Sequence, residues 1–200
     1  WVQVIICKGS LAEKIATDPR VSFLTFIGSG KVGWGLRSKL AEGARCALEH
    51  GGAAPVIVEA DADIDDALPL LAKGGFYHAG QVCVSVQRVF VHEDIVEEFS
   101  SKLVAIAEKL VVGDPVDEKT EVGPLIQEGE VERIHKWVEE AKAAGGKILT
   151  GGKKIGKTCY EPTVILNPPY DANVSKCEIF GPIINIYSYK NRADAIRLAN

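Results

Sequence analysis

The sequence predicts an α/β protein, a parallel sheet built of βαβ units and flanked by helices. Three features carry that prediction. Short runs rich in β-branched residues recur along the chain, amphipathic stretches of helical period lie between them, and glycine or proline marks the joins. Strands that alternate with helices pair in parallel through right-handed crossovers.

Residues 21–27, 55–59, 86–92, 163–166 and 183–189 read as strands, because their apolar runs are continuous, as in strands buried on both faces. Helices are predicted over 31–44, 64–76, 97–110 and 130–144. Phe99, Leu103, Ile106 and Leu110 form one apolar stripe, and Val131, Ile134, Val138 and Ala141 form another. Asn191 has the chemistry of an N-cap for a last helix through Ala193, Ile196 and Leu198. Gly145-Gly146 ends a helix, Gly151-Gly152 follows a short strand, and residues 113–124 form an acidic loop. The glycine pair at Gly51-Gly52 is the one candidate boundary between domains.

Of the 200 residues, 46% are hydrophobic and 25% charged, ordinary globular values that exclude a disordered, collagenous or coiled-coil chain. A chain of this length buries roughly 70% of its unfolded surface, so its core needs no staple. A net charge of −4 offers no attraction to nucleic acid or to an anionic membrane. Five scattered cysteines without CxxC spacing argue against a zinc site or a disulfide framework and point to a reducing, cytoplasmic compartment. No signal segment is recognised, and no apolar run approaches the roughly 20 residues of a membrane helix. Because Trp1 opens in mid-pattern, the chain reads as an excerpt of a longer polypeptide.

Five short stretches could carry chemistry. Cys83, in Ala79-Gly80-Gln81-Val82-Cys83, lies in a loop before a strand, where a thiol can be reached and backbone N–H groups can hold an oxyanion. A structural cysteine between Val82 and Val84 fits the same spacing. Glu49 precedes His50-Gly51-Gly52, where flexible backbone suits a general base, although the pattern alone favours a solvated helix-end carboxylate. His50 could serve as a base for Cys83 or be a turn histidine. Phe26-Ile27-Gly28-Ser29 joins a strand to a helix, a ready phosphate site at a helix N-terminus, yet it is neither GxGxxG nor a Walker loop. Glu178, in Glu178-Ile179-Phe180-Gly181-Pro182, could accept from sugar hydroxyls or simply shape a turn.

Taken in order, these pieces are less generic. With Leu48 before Glu49, with Gly113-Asp114-Pro115 and Gly123-Pro124, with 34 residues from Glu49 to Cys83 and 95 from Cys83 to Glu178, the chain resembles the aldehyde dehydrogenase superfamily over essentially its whole length. The resemblance implies an aldehyde-dehydrogenase-like catalytic domain of the hydrolytic, NAD- or NADP-dependent type, acting on a small-molecule aldehyde. It implies Cys83 as nucleophile and Glu49 as the base that hydrolyses its thioester. It also implies Glu178 and Phe180 at the nicotinamide ribose, Gly28 and Ser29 at the cofactor pyrophosphate, and Val32 as a neighbouring contact. No metal is expected, and a full-length parent is expected to be a homodimer or homotetramer.

The sequence departs from the family pattern at Ile27 in place of threonine, at His50 in place of leucine, and at Cys177 in place of an acidic residue. The imidazole of His50 beside Glu49 could alter the pH profile of thioester hydrolysis. Family members are more than twice as long; the lysine at the adenosine ribose and the asparagine of the oxyanion hole are expected before Trp1, and the oligomerisation strand after Asn200. Residues 1–50 then read as the C-terminal part of the NAD(P)-binding domain and 51–200 as most of the catalytic (thiol) domain. On that reading the 200-residue chain is inactive or nearly so by itself. Two rivals stand beside it: a catalytically silent module of the same fold, used for binding or structure, and a Cys–His hydrolase using Cys83 and His50.

Overall fold

The first unit of the computed structural model, Trp1–Gly51, contains helix α1 (Gly9–Ala16), strand β1 (Phe23–Ile27), helix α2 (Gly30–Arg37) and strand β2 (Arg45–Glu49). The structure describes residues 1–200. β1 and β2 pair in parallel, from Phe23 opposite Arg45 to Ile27 opposite Glu49. The helix expected over 31–44 therefore stops at Arg37, and the chain turns through Gly43 (φ +81°) into a strand that the sequence did not announce. Cys46-Ala47-Leu48 is too short an apolar run to choose between helix and strand, and pairing with β1 makes the choice. Helix α1 also escaped the reading, because Leu11 and Ile15 are its only large apolar residues. Packing in this unit is thin: Gly33 is its one fully buried residue, and Phe23, Ile27, Val32 and Trp34 are exposed.

The second unit, Gly52–Asn200, begins with β3 (Ala54–Val58), α3 (Ile64–Phe76), β4 (Val86–His92) and α4 (Val96–Ala107). It continues with α5 (Glu128–Ala143), β5 (Lys147–Thr150), β6 (Lys154–Ile155), β7 (Cys159–Tyr160) and β8 (Thr163–Leu166). It ends with α6 (Asn173–Lys176), β9 (Ile183–Tyr189) and α7 (Arg192–Ala199). Its sheet has the order β3-β4-β9-β8-β5, and the first four strands are parallel as expected. β5 joins that sheet antiparallel to β8, so the sheet is mixed. Residues 151–162 hold only the small β6–β7 hairpin, without the crossover helix that a parallel return needs.

Local chemistry explains the ends. Asp63 caps α3 by accepting from the N–H groups of Asp65 and Asp66, and these two carboxylates sit at the positive end of the helix dipole. Asn191 caps α7 as expected, accepting from the N–H of Ala193 at 2.9 Å. Arg88 closes the other end of that helix: its guanidinium donates to the carbonyls of Leu198 and Ala199 at 3.3 and 2.9 Å, and to that of Ala53 at 2.8 Å.

The period of two along the central strands divides the core between the two faces of the sheet. Val89, Val91, Ile184 and Ile186 join α3, α4 and α5 in the main cluster, with Phe99, Leu103, Ile134 and Val138 fully buried. Phe90, Tyr187 and Tyr189 face the other way, against Ala195 and Leu198 of α7. Phe99 stands at the centre of the larger cluster with none of its surface exposed. Phe99→Ala is expected to lower the unfolding free energy by about 3–5 kcal/mol. The measurement is a denaturant titration, and a loss below about 1 kcal/mol contradicts the burial.

Candidate active site

The loop that carries Cys83 is shaped by backbone. After α3, His78 (φ +50°), Ala79 (φ +54°) and Gly80 (φ +70°) are successively left-handed, a conformation unfavourable by roughly 1–2 kcal/mol per residue where a side chain is present. Such strain persists only where the surroundings hold it. At Gly80 they do: a Cβ there would collide with the main-chain carbonyl of Gly181, so the loop before Cys83 lies directly on the backbone of the Glu178–Pro182 segment. The side chain of Gln81 adds three ties. Its Nε2 donates to the carbonyls of His78 and Pro124 at 3.0 and 3.2 Å, and its Oε1 accepts from the N–H of Ile126 at 2.9 Å.

Val82 and Ser85 close a turn, with the N–H of Ser85 donating to Val82 at 2.9 Å, and Ser85 Oγ donates back to the carbonyls that end α3. Cys83 sits at the tip of this turn. Its thiol is free and exposed, and its N–H makes no hydrogen bond within the chain. The other four cysteines are half-buried free thiols.

Glu178 lies in the short stretch between α6 and β9, and polar side chains from the sheet hold that stretch. Gln87, buried in β4, donates through Nε2 to the carbonyls of Val174 and Cys177 at 3.0 and 2.7 Å, while its Oε1 accepts from the N–H of Ile179 at 2.9 Å. Asn185 in β9 donates to Val174 at 2.7 Å, and the Tyr187 hydroxyl donates to Ser175 Oγ at 2.7 Å. Burial pushes the Tyr187 phenol up to about 12, so it remains a donor at neutral pH. Arg133 of α5, stacked 4.5 Å over Trp137 and paired with Glu130, donates to the carbonyl of Ile179 at 2.7 Å. Glu178 and the partly exposed Phe180 (φ +52°) line a shallow depression together with Gly52, Gly80, Val82 and Ser85. The second unit thus brings the Cys83 turn and the Glu178 segment together.

The remaining expected residues belong to the first unit. Glu49 is exposed at the end of β2, a strand end where a helix end was considered. Its carbonyl accepts from the N–H of Gly28 at 3.2 Å, which joins the end of β2 to the turn before α2. Nδ1 of His50 lies 3.2 Å from the carbonyl of Gly28; since a carbonyl only accepts, that nitrogen carries the proton. The ring packs on Phe26 and Trp34, and its Nε2 is buried without a partner. A base must present its free nitrogen, so this geometry counts against the hydrolase reading.

Ser29 is the N-cap of α2 but makes no side-chain cap, the first turn has no acidic residue, and Lys31 and the exposed Val32 lie in it. Uncapped amides beside a lysine fit an anionic group such as a pyrophosphate. No group of three or more His, Cys, Asp or Glu side chains is placed to hold a metal ion, and no helix is long and apolar enough to cross a membrane.

Sequence reasoning passed over Gln81, Gln87 and Arg133. For Gln87 the signal was present: an amide at an inward position of Val86-Gln87-Arg88-Val89-Phe90-Val91 must find partners when buried. Arg133 gave no signal, since one arginine on an amphipathic helix looks like any other.

The sequence pattern of the aldehyde dehydrogenase family matches residues 1–200. The chain is 41% identical over 200 residues to a 3-sulfolactaldehyde dehydrogenase of Priestia aryabhattai, covering 100% of this chain and 42% of that protein. The solved structure of glyceraldehyde-3-phosphate dehydrogenase from Methanocaldococcus jannaschii, complexed with NADP, matches with a TM-score of 0.90 at 40% identity, covering 95% of this chain and 41% of that one. That of betaine aldehyde dehydrogenase from Staphylococcus aureus, in complex with NAD+, has a TM-score of 0.93 at 31% identity, covering 98% and 40%. The chain spans about two fifths of the length of these relatives. With a family match that runs from the first residue to the last, this chain belongs to the aldehyde dehydrogenase family.

Proposed function

We propose that the protein containing this chain oxidises an aldehyde to a carboxylate with NAD or NADP, and that Cys83 is its nucleophile. The observation that carries the proposal is the exposed Cys83 thiol on a turn fixed against the Glu178 segment, within one compact unit. Residues 51–200 are then most of the catalytic (thiol) domain, and residues 1–50 the C-terminal part of the nucleotide-binding domain. A small-molecule aldehyde is the substrate, and the whole protein is a homodimer or homotetramer. The five free thiols suit a cytoplasmic location.

The Cys83 thiolate adds to the aldehyde carbon, giving a thiohemiacetal alkoxide whose oxygen accepts from the uncommitted N–H of Cys83. A bound oxidised nicotinamide would supply the hydride acceptor that lets the alkoxide become a thioester on Cys83. Glu49 takes a proton from water, the resulting hydroxide adds to the thioester carbonyl, and collapse releases the carboxylate and the Cys83 thiolate. Glu178 would accept from the nicotinamide ribose hydroxyls, with Phe180 beside it. Gly28, Ser29 and Val32 receive the pyrophosphate, held in place through the bonds of Gly28 to Glu49 and His50.

The test uses the whole protein, extended to its native ends, with a panel of aldehydes and either nucleotide. Cys83→Ala is expected to reduce nucleotide reduction by at least about 10³-fold. Aldehyde turnover that survives this change excludes the mechanism, and absence of turnover in the unaltered protein favours a catalytically silent module. Glu49→Gln separates the two halves of the cycle. It should leave a stoichiometric burst of reduced nucleotide while slowing steady-state turnover by about 10²–10⁴-fold. A burst lost together with turnover places Glu49 in the first half and contradicts its assignment.

A further inference from the structure

We infer that Gln87 is a positioning residue for Glu178, and through it sets the affinity for the nicotinamide half of the cofactor. The inference rests on the reading of Glu178 as the ribose carboxylate and goes one step behind it. The two peptide groups on either side of Glu178 are gripped by one side chain. The Cys177 carbonyl belongs to the peptide before Glu178 and accepts from Gln87 Nε2 at 2.7 Å. The Ile179 N–H belongs to the peptide after it and donates to Gln87 Oε1 at 2.9 Å. Fixing both planes fixes the φ and ψ of Glu178, and with them the direction of its Cα–Cβ bond.

A carboxamide suits this grip, because it carries N–H donors and an acceptor oxygen on one planar group. The second Nε2 hydrogen goes to the Val174 carbonyl at 3.0 Å, so two donors and one acceptor are engaged. Gln87 itself has no slack: it is only 4% exposed and springs from β4, a strand paired on both sides. α6 does not depend on it alone, since Asn185 also holds Val174, and Tyr187 holds Ser175. Replacing Gln87 therefore releases the peptides around Glu178 more than the elements on either side. An unpartnered buried carbonyl and N–H are unfavourable enough that the segment shifts to find water.

The test is equilibrium binding of the reduced nucleotide, followed by its nicotinamide fluorescence, and of the adenosine diphosphate half alone, in the whole protein. Glu178→Gln is the reference, expected to weaken reduced-nucleotide binding about tenfold or more through loss of a charge-assisted hydrogen bond. Gln87→Leu is expected to weaken it about five- to tenfold while the adenosine diphosphate half binds within about twofold of the unaltered protein. Combining the two changes should be no worse than Glu178→Gln alone, because both act on one interaction. Gln87→Glu keeps the side-chain length, replaces the donor with an acceptor facing two carbonyls, and should reproduce the leucine result.

Normal nucleotide binding by Gln87→Leu, beside a weakened Glu178→Gln, overturns the positioning role and leaves Glu178 at the ribose. Normal binding by Glu178→Gln removes the ribose reading, and the inference with it. Equal weakening of both nucleotide probes, or failure of both Gln87 variants to fold, makes Gln87 a structural residue only and overturns the inference.

Discussion

The second unit depends on one close approach. At Gly80 the chain lies so near the carbonyl of Gly181 that no side chain fits between them, and the left-handed backbone from His78 to Gly80 is what brings it there. Gly181 is tight on its other side too, where a Cβ would run into Ile134 of α5. Two loops from distant parts of the sequence are thereby stacked backbone on backbone and backed by the core. One presents Cys83 and the other presents Glu178. Because main chain carries the contact, neither loop can drift by a change of rotamer, which is how the strained left-handed residues persist there.

Around that contact the structure uses amides and hydroxyls where most of the core is aliphatic. Gln81, Gln87, Asn185 and the Tyr187–Ser175 pair each reach across the fold to a main-chain group or to one another. Such bonds add little net stability each, but leaving any buried partner unmade is unfavourable, so they select one arrangement of the loops over its neighbours. The aliphatic cluster of Phe99, Leu103, Ile134 and Val138 supplies the burial, and the polar network supplies the direction. The first unit follows a different logic. With a single fully buried residue, its order comes from the parallel β1–β2 pair and from the two bonds that close the Gly28 turn.

Much of this was legible in advance. The strands at 86–92, 163–166 and 183–189 and the helix at 64–76 fall where the apolar periods put them, and Asn191 caps the helix it was expected to cap. These are local signals, strong because burial on one or both faces enforces the period. Beyond helix α1, whose apolar signal was weak, two errors share a source. Arg45–Glu49 became a strand, and β5 joined its sheet antiparallel, because in each case a partner far along the chain decided the outcome. Short apolar runs contain no record of which neighbour they will meet.

The candidate site divides along the same line. The order and spacing of Gly28-Ser29, Glu49, Cys83 and Glu178 were enough to place the chain in a family and to name its reactive residues as candidates, since chemistry demands particular side chains at particular separations. The hands that hold them were not legible. Gln87 is 92 residues from Ile179 and Arg133 is 46 from it, and each is matched to a main-chain group that carries no side-chain signature. Hydrogen bonds to backbone leave no mark on the partner's residue type. The amino-acid sequence by itself therefore determined the fold class and the candidate reactive groups, while only the tertiary structure decided which peptide groups orient them.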